Sequence, residues 1–134
     1  MGIFDFLKDK DSTKSKSESL SFEQKFKIAA ETDKLNNLGV MEYRNGNIQG
    51  AIEYYERALE IMPQNDDSLI NLAMCQNKLG HSEKAIELCL EAIKIDPQRA
   101  VGYRTIGDVY YRQSKWNEVI KWYHWCLLKN VNPI

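Results

Sequence analysis

The sequence predicts an all-α chain built from a repeated helix-turn-helix unit, and three observations carry that prediction. The first is self-similarity at a fixed step of 34 residues. Laying 32–65 over 66–99 puts Asp33 on Asp67, Leu35 on Leu69, Asn37 on Asn71, Leu38 on Leu72, Gly46 on Gly80, Ala58 on Ala92 and Ile61 on Ile95. The second is helical spacing of the apolar residues inside each block. The third is punctuation: Gly46 and Gly80 stand where a left-handed residue ends a helix at least cost, and Pro63 and Pro97 stand where a second helix must stop.

The elements follow in order. Residues 8–21 are dominated by Lys, Asp, Glu, Ser and Thr, which gain too little on folding to offset backbone entropy, so 1–20 reads as a flexible tail. That tail carries a short apolar segment, Ile3, Phe4, Phe6 and Leu7, readable as a docking peptide or as a frayed end. Ser21 followed by Gln24 matches a capping box, and Phe22, Phe26, Ala29 and Ala30 then recur at helical spacing. A helix is expected from Ser21 to about Asn45, as an extension leading into the first of three repeats, 32–65, 66–99 and 100–133, within a domain of 21–131.

The third block shares few identities but keeps the residue classes, with Tyr103, Ile106, Gly107, Tyr110, Tyr111, Trp116, Val119, Ile120, Tyr123 and Leu127 on core positions. Ser114 takes the place of the turn glycines there and is expected to cost about 1 kcal/mol of cap stability. Small residues, Gly39, Ala73 and Gly107 on first helices with Ala51, Ala85, Ala58 and Ala92 on second helices, sit where two backbones approach.

Composition bounds the chemistry. Of 134 residues, 18 are Lys or Arg and 19 are Asp or Glu, a net charge of −1 that leaves no long-range field for nucleic acid or an anionic membrane. The expectation is no nucleic-acid and no membrane partner. The 3 cysteines, Cys75, Cys89 and Cys126, show neither CxxC nor metal-ligand spacing and are odd in number, which predicts buried free thiols in a reducing, cytoplasmic setting. Asp5 interrupts the opening apolar residues, so no secretory signal is read, and Phe6 stands where a myristoylation motif wants Ser or Thr. His81 and His124 are the only imidazoles and have no HExxH or cysteine partners. With no P-loop and no GxGxxG either, no catalytic residue, metal or cofactor is assigned.

The pattern Leu35, Leu38-Gly39, Ala51, Tyr55, Ala58, Pro63 and its shifted copies resembles the tetratricopeptide repeat. Departures are Glu42 and Gln76 in place of a first-helix aromatic, Val119 and Cys126 in place of Ala, and Val131 in place of Pro. The resemblance implies a right-handed α-solenoid whose concave face, lined by first helices, binds a peptide or protein segment. Projected onto this sequence, that face holds Asn37, Asn71 and Thr105 as partners for a peptide backbone, Arg44, Lys78 and Arg112 as cations for carboxylates, and Ile70, Arg104 and Tyr111 among their neighbours.

Family members that clamp the C-terminal acid of heat-shock chaperones use two cations on the third repeat. The matching positions here are Asn36, Val40, Asn71, Val101 and Thr105, of which Asn71 alone fits, so that ligand is not expected unless Arg104 substitutes.

On the outward positions of second helices, the first two repeats carry Glu53, Arg57 and Glu60, then Glu87, Glu91 and Lys94, whereas the third carries Lys121, Trp125 and Leu128. Trp122 falls where a following repeat would pack, and leaving it in water forgoes up to roughly 4 kcal/mol. Trp122, Trp125 and Leu128 are therefore expected to form an association surface, covered by a second copy or by the Ile3-Phe4-Phe6-Leu7 segment. Two functions follow from these readings: a non-enzymatic interaction module with a concave groove, or a self-assembling scaffold that homodimerises through its last helix.

Overall fold

The computed structural model describes residues 19–130, and the expectations for the apolar tail segment and for the end of the third block fall outside them. Among the described residues there are helices and turns only: α1 (Phe22–Arg44), α2 (Ile48–Ile61), α3 (Asp66–Lys78), α4 (Ser82–Ile95), α5 (Ala100–Arg112) and α6 (Trp116–Asn130). The chain divides into two compact units, Met1–Pro63 and Gln64–Ile134.

In the first unit α1 packs against α2. The expected capping box is present: the Gln24 N–H donates to the Ser21 hydroxyl at 3.2 Å, and the Ser21 N–H donates to the Gln24 side chain at 2.9 Å. The helix then runs without a break past Gly39. Ile28, Leu35 and Gly39 face inward, whereas Phe22 and Phe26, which helical spacing puts on the other side of α1 with Ala29 and Ala30, are 86% and 66% exposed. A Cβ on Gly39 would overlap the Tyr55 ring, so the absence of a side chain is what lets Tyr55 lie flat against α1.

The second unit repeats this pairing twice, α3 on α4 and α5 on α6, with α4 also packing on α5 and α3 on α5. Its core holds Leu69, Leu72, Ala73, Cys75, Leu88, Cys89, Ile106 and Val109, and all three cysteines are free and buried. Burial holds the Cys75 thiol up at about 11 and the Cys89 thiol at about 12, the latter helped by the Asp108 charge, so both stay protonated and inert.

The three helix-to-helix turns share one device. Gly46 and Gly80 have φ of +84° and +86°, and Ser114, one step later in the repeat, is forced to φ 56°. The helix starts fall into two kinds. Asn47 and Asn65 cap α2 and α3 by accepting the N–H groups of Gly50 and Ser68, at 3.1 and 2.9 Å, while α4 starts at His81 without a side-chain cap.

At the start of α5, Arg99 reaches back to α3. Its guanidinium meets Asp66 at 2.5 Å and Asp67 at 2.7 Å, and those two charges hold it firmly protonated. The fork ties the N-terminal ends of two first helices together and sets the register of the face they present.

Candidate functional site

On the second unit, α3 and α5 bring several of the expected groove residues together. Arg112, in the last turn of α5, donates to the carbonyl of Asn77 in the last turn of α3, so the C-terminal ends of the two first helices are neighbours. Lys78 and Arg104 are exposed and take no salt-bridge partner among the described residues. Asn71 and Met74 are half-buried beside them in sequence register. The exposed Asp108 accepts the Tyr123 hydroxyl, and burial, together with that bond, pushes Tyr123 up to about 12. The exposed charges on this face are thus three cations, Lys78, Arg104 and Arg112, against one carboxylate already engaged. The side-chain oxygen of Asn77 is buried there without a hydrogen-bond partner.

Two residues depart from their expected role. Thr105 is 2% exposed, and its hydroxyl donates to the Val101 carbonyl at 2.8 Å, so it serves its own helix and burial keeps it from a ligand backbone. Ile70 is 4% exposed and belongs to the core. Arg112 also has a structural duty, since a cation on a last-turn carbonyl, here one that also accepts the Gly80 N–H, stabilises the C-terminal end of α3. In the first unit, Asn37 and Arg44 are both exposed on α1.

The last helix differs from its expected form in a way that matters. Trp122 is half-buried, not stranded in water. Its ring lies 6.3 Å from that of Tyr103 on α5, its indole N–H donates to Glu118 at 3.3 Å, and the Lys121 ammonium stands 5.7 Å over it. Trp125 and Leu128 are exposed at 44% and 49%. More exposed still are Trp116, Ile120 and Leu127, at 53%, 69% and 63%, and Tyr111 on α5, at 58%, all expected on core positions by residue class. Their apolar character matched core positions of the earlier blocks, and that match hid them.

The two imidazoles stand apart. The His81 ring pairs with the Gln76 side chain at 2.8 Å across the α3–α4 turn, and His124 is exposed on α6. No group of three or more His, Cys, Asp or Glu side chains converges on a metal position among the described residues. No helix among them is long and apolar enough to cross a membrane.

Comparison with known proteins agrees with this architecture. Residues 42–105 match the family model described as tetratricopeptide repeat. No curated protein matches the chain. Among solved structures, the second repeat domain of Spaghetti, bound to an HSP90 peptide, superposes with a TM-score of 0.68 at 24% identity, over 75% of this chain and 93% of that one. The Sgt2 repeat domain of Aspergillus fumigatus gives 0.70 at 26% identity, over 76% and 68%. The first repeat domain of Spaghetti, also with an HSP90 peptide, gives 0.69 at 21% identity, over 78% and 83%. The 34-residue step, the paired helices and the left-handed turn residues in register agree with the family match, which makes residues 42–105 tetratricopeptide repeat.

Proposed function

We propose that this chain is a non-enzymatic protein–protein interaction module whose first-helix face takes a peptide or protein segment. The family is generally one of interaction folds without catalytic activity, and two structures similar to this one carry a peptide. The observation that carries the reading is the pair of exposed, unpartnered cations Lys78 and Arg104 beside the half-buried Asn71 on neighbouring first helices. Cations without a structural partner on an otherwise ordered face are free to pair with a ligand.

The HSP90 peptide itself is not carried across. Of the five clamp positions only Asn71 has the required side chain, Val101 cannot supply a cation, and Thr105 is turned into its own helix.

Affinity capture from the native lysate, comparing wild type with Lys78→Glu/Arg104→Glu, tests the groove. Both positions are exposed, so the fold is expected to survive, and loss of a specific partner is the expected result. An unchanged partner set removes the groove reading. Arg112 is the wrong residue to reverse, because it holds the Asn77 carbonyl.

A second reading, self-association through α6, is favoured by the run of exposed Trp116, Ile120, Trp125, Leu127 and Leu128 on one helix. The mass of the chain in solution as a function of concentration tests it.

A further inference from the structure

Two arginines hold the first helices of the second unit side by side. Arg99, just before α5, meets Asp66 and Asp67 at the start of α3, and Arg112, in the last turn of α5, donates to the Asn77 carbonyl in the last turn of α3. The two helices, of 13 residues each, therefore run parallel, and the 34-residue step puts Lys78 level with Arg112. Along α5, Arg104, Asp108 and Arg112 follow one another at i, i+4 and i+8, all exposed, so charge alternates in steps of about 6 Å. Among the described residues none of these three takes a salt bridge: Asp108 accepts the Tyr123 hydroxyl, and Arg112 serves the Asn77 carbonyl. The cations left for a ligand are Lys78, at the C-terminal end of the pair, and Arg104, about 12 Å nearer the N-terminal end.

We propose that the occupant of this face is an extended acidic segment with two side-chain carboxylates four residues apart, one for Lys78 and one for Arg104, and no acid between them. This rests on the reading of the first-helix face as a ligand groove and adds which ligand it takes. Charge sets the class. With Asp66 and Asp67 paired to Arg99, the cations Lys78, Arg104 and Arg112 stand against Asp108 alone, a local positive excess in a chain whose net charge is −1. Spacing sets the form. Cations about 12 Å apart along the face are placed for two carboxylates rather than for one, such as a chain terminus. An extended chain rises about 3.3 Å per residue, covers about 13 Å in four residues and turns i, i+2 and i+4 to one side, whereas a helical ligand covers only about 6 Å in the same four. Asp108 sets the middle. It lies one helical turn from the level of either cation and repels an acid at i+2. Beside it on α3, the half-buried Met74 and Asn71 offer an apolar contact and an amide able to pair with a ligand backbone.

Fluorescence anisotropy at low salt tests this, using fluorescein-labelled, C-terminally amidated heptapeptides of Ser and Ala, with circular dichroism to show that each variant keeps its helices. One probe carries two glutamates four residues apart, a second carries them adjacent, a third adds a glutamate midway between the spaced pair, and a fourth replaces the spaced pair with lysines. An exposed ion pair changes affinity by up to about fivefold. The spaced probe is expected to bind up to about fivefold tighter than the adjacent one and to lose about that factor with Lys78→Gln and again with Arg104→Gln, while the lysine probe does not bind. The midway glutamate should weaken binding to wild type and cease to do so in Asp108→Asn, whose amide oxygen still accepts the Tyr123 hydroxyl. Equal binding of the spaced and adjacent probes overturns the proposal, as do a midway glutamate that strengthens binding to wild type, binding that survives both Gln substitutions, a lysine probe that binds as well, or no binding of any probe. Affinity capture with Lys78→Glu/Arg104→Glu keeps the two readings apart. A specific partner lost from that variant while the probes fail overturns the acidic segment alone, and an unchanged partner set overturns the groove with it.

Discussion

The Tyr123 ring occupies the space that a side chain on Gly107 would fill, and the same relationship holds between Tyr55 and Gly39 two steps of the repeat earlier. In the middle repeat the corresponding pair is Ala73 with Cys89, both fully buried. Where the first helix has no side chain the second supplies a ring, and where it has a methyl group the second supplies a thiol. Volume across the helix pair is conserved while its split between the partners changes. Gly107→Ala is therefore expected to destabilise. Overpacking against a ring held by Asp108 costs about 1–3 kcal/mol, less up to about 1 kcal/mol regained from removing a helical glycine. Adding Tyr123→Cys to it copies the middle repeat, and the double variant should lose less stability than the two single losses added together. A double-mutant cycle by chemical denaturation reads that coupling, and strict additivity would show the pairing to be incidental.

Ser114 is the residue at which a single substitution should help. It holds φ 56° in a turn whose two relatives are glycines at φ +84° and +86°. A left-handed conformation costs an ordinary residue about 1–2 kcal/mol, part of which glycine returns through a freer unfolded chain. Ser114→Gly is expected to raise stability by about 0.5–1 kcal/mol, seen as a rise of a few degrees in the thermal midpoint. Gly80→Ala should move it the other way.

Much of the fold was legible because its signals are local. Ser21 with Gln24, Gly46, Gly80 and Pro63 each act on the few residues around them, so a step of 34 read along the chain was enough to place six helices among the described residues. The site was less legible, because exposure is decided by which helix lies alongside. Thr105 reads as a hydrogen-bonding partner until its hydroxyl is seen to turn back on Val101. Trp122 reads as stranded until Tyr103 is found against it. Ile120 and Leu127 are of the same class as the half-buried Ile86 and Ile93, and the sequence does not say that nothing described covers them. The change from charge to apolar at Trp125 and Leu128 drew attention to the neighbouring stripe instead.

The thiols give an alkaline limit to stability. Cys75 and Cys89 ionise in the native protein only near about 11 and about 12, against an ordinary value of 9.0, because burial disfavours the thiolate. When the folded value is the higher, the unfolded chain loses its protons first. The stability contributed is complete below pH 9 and falls away as pH rises through the folded values. The thermal midpoint should be flat between about pH 7 and 8.5 and decline steadily above 9, with the Tyr123 hydroxyl adding to the decline above 10. At pH 8 an alkylating reagent should leave both thiols unmodified in the native protein and label them fully in denaturant. Rapid native labelling of either would contradict the burial.

Arg99 is expected to matter by its shape more than by its charge. Its two nitrogens serve two carboxylates, Asp66 at 2.5 Å and Asp67 at 2.7 Å, at the start of a different helix, an arrangement that a lysine ammonium cannot copy because its donors radiate from one atom. The Arg99 side chain is 39% exposed and Asp67 56%, so solvent screens much of the attraction and the whole fork is worth only about 1 kcal/mol. Arg99→Lys should lose most of that amount, nearly as much as Arg99→Ala, and both losses should shrink in high salt. Denaturation curves of the three proteins at low and at high ionic strength check this. If Arg99→Lys were as stable as wild type, charge alone would hold α3 to α5, and the forked geometry would contribute nothing to the register of the first-helix face.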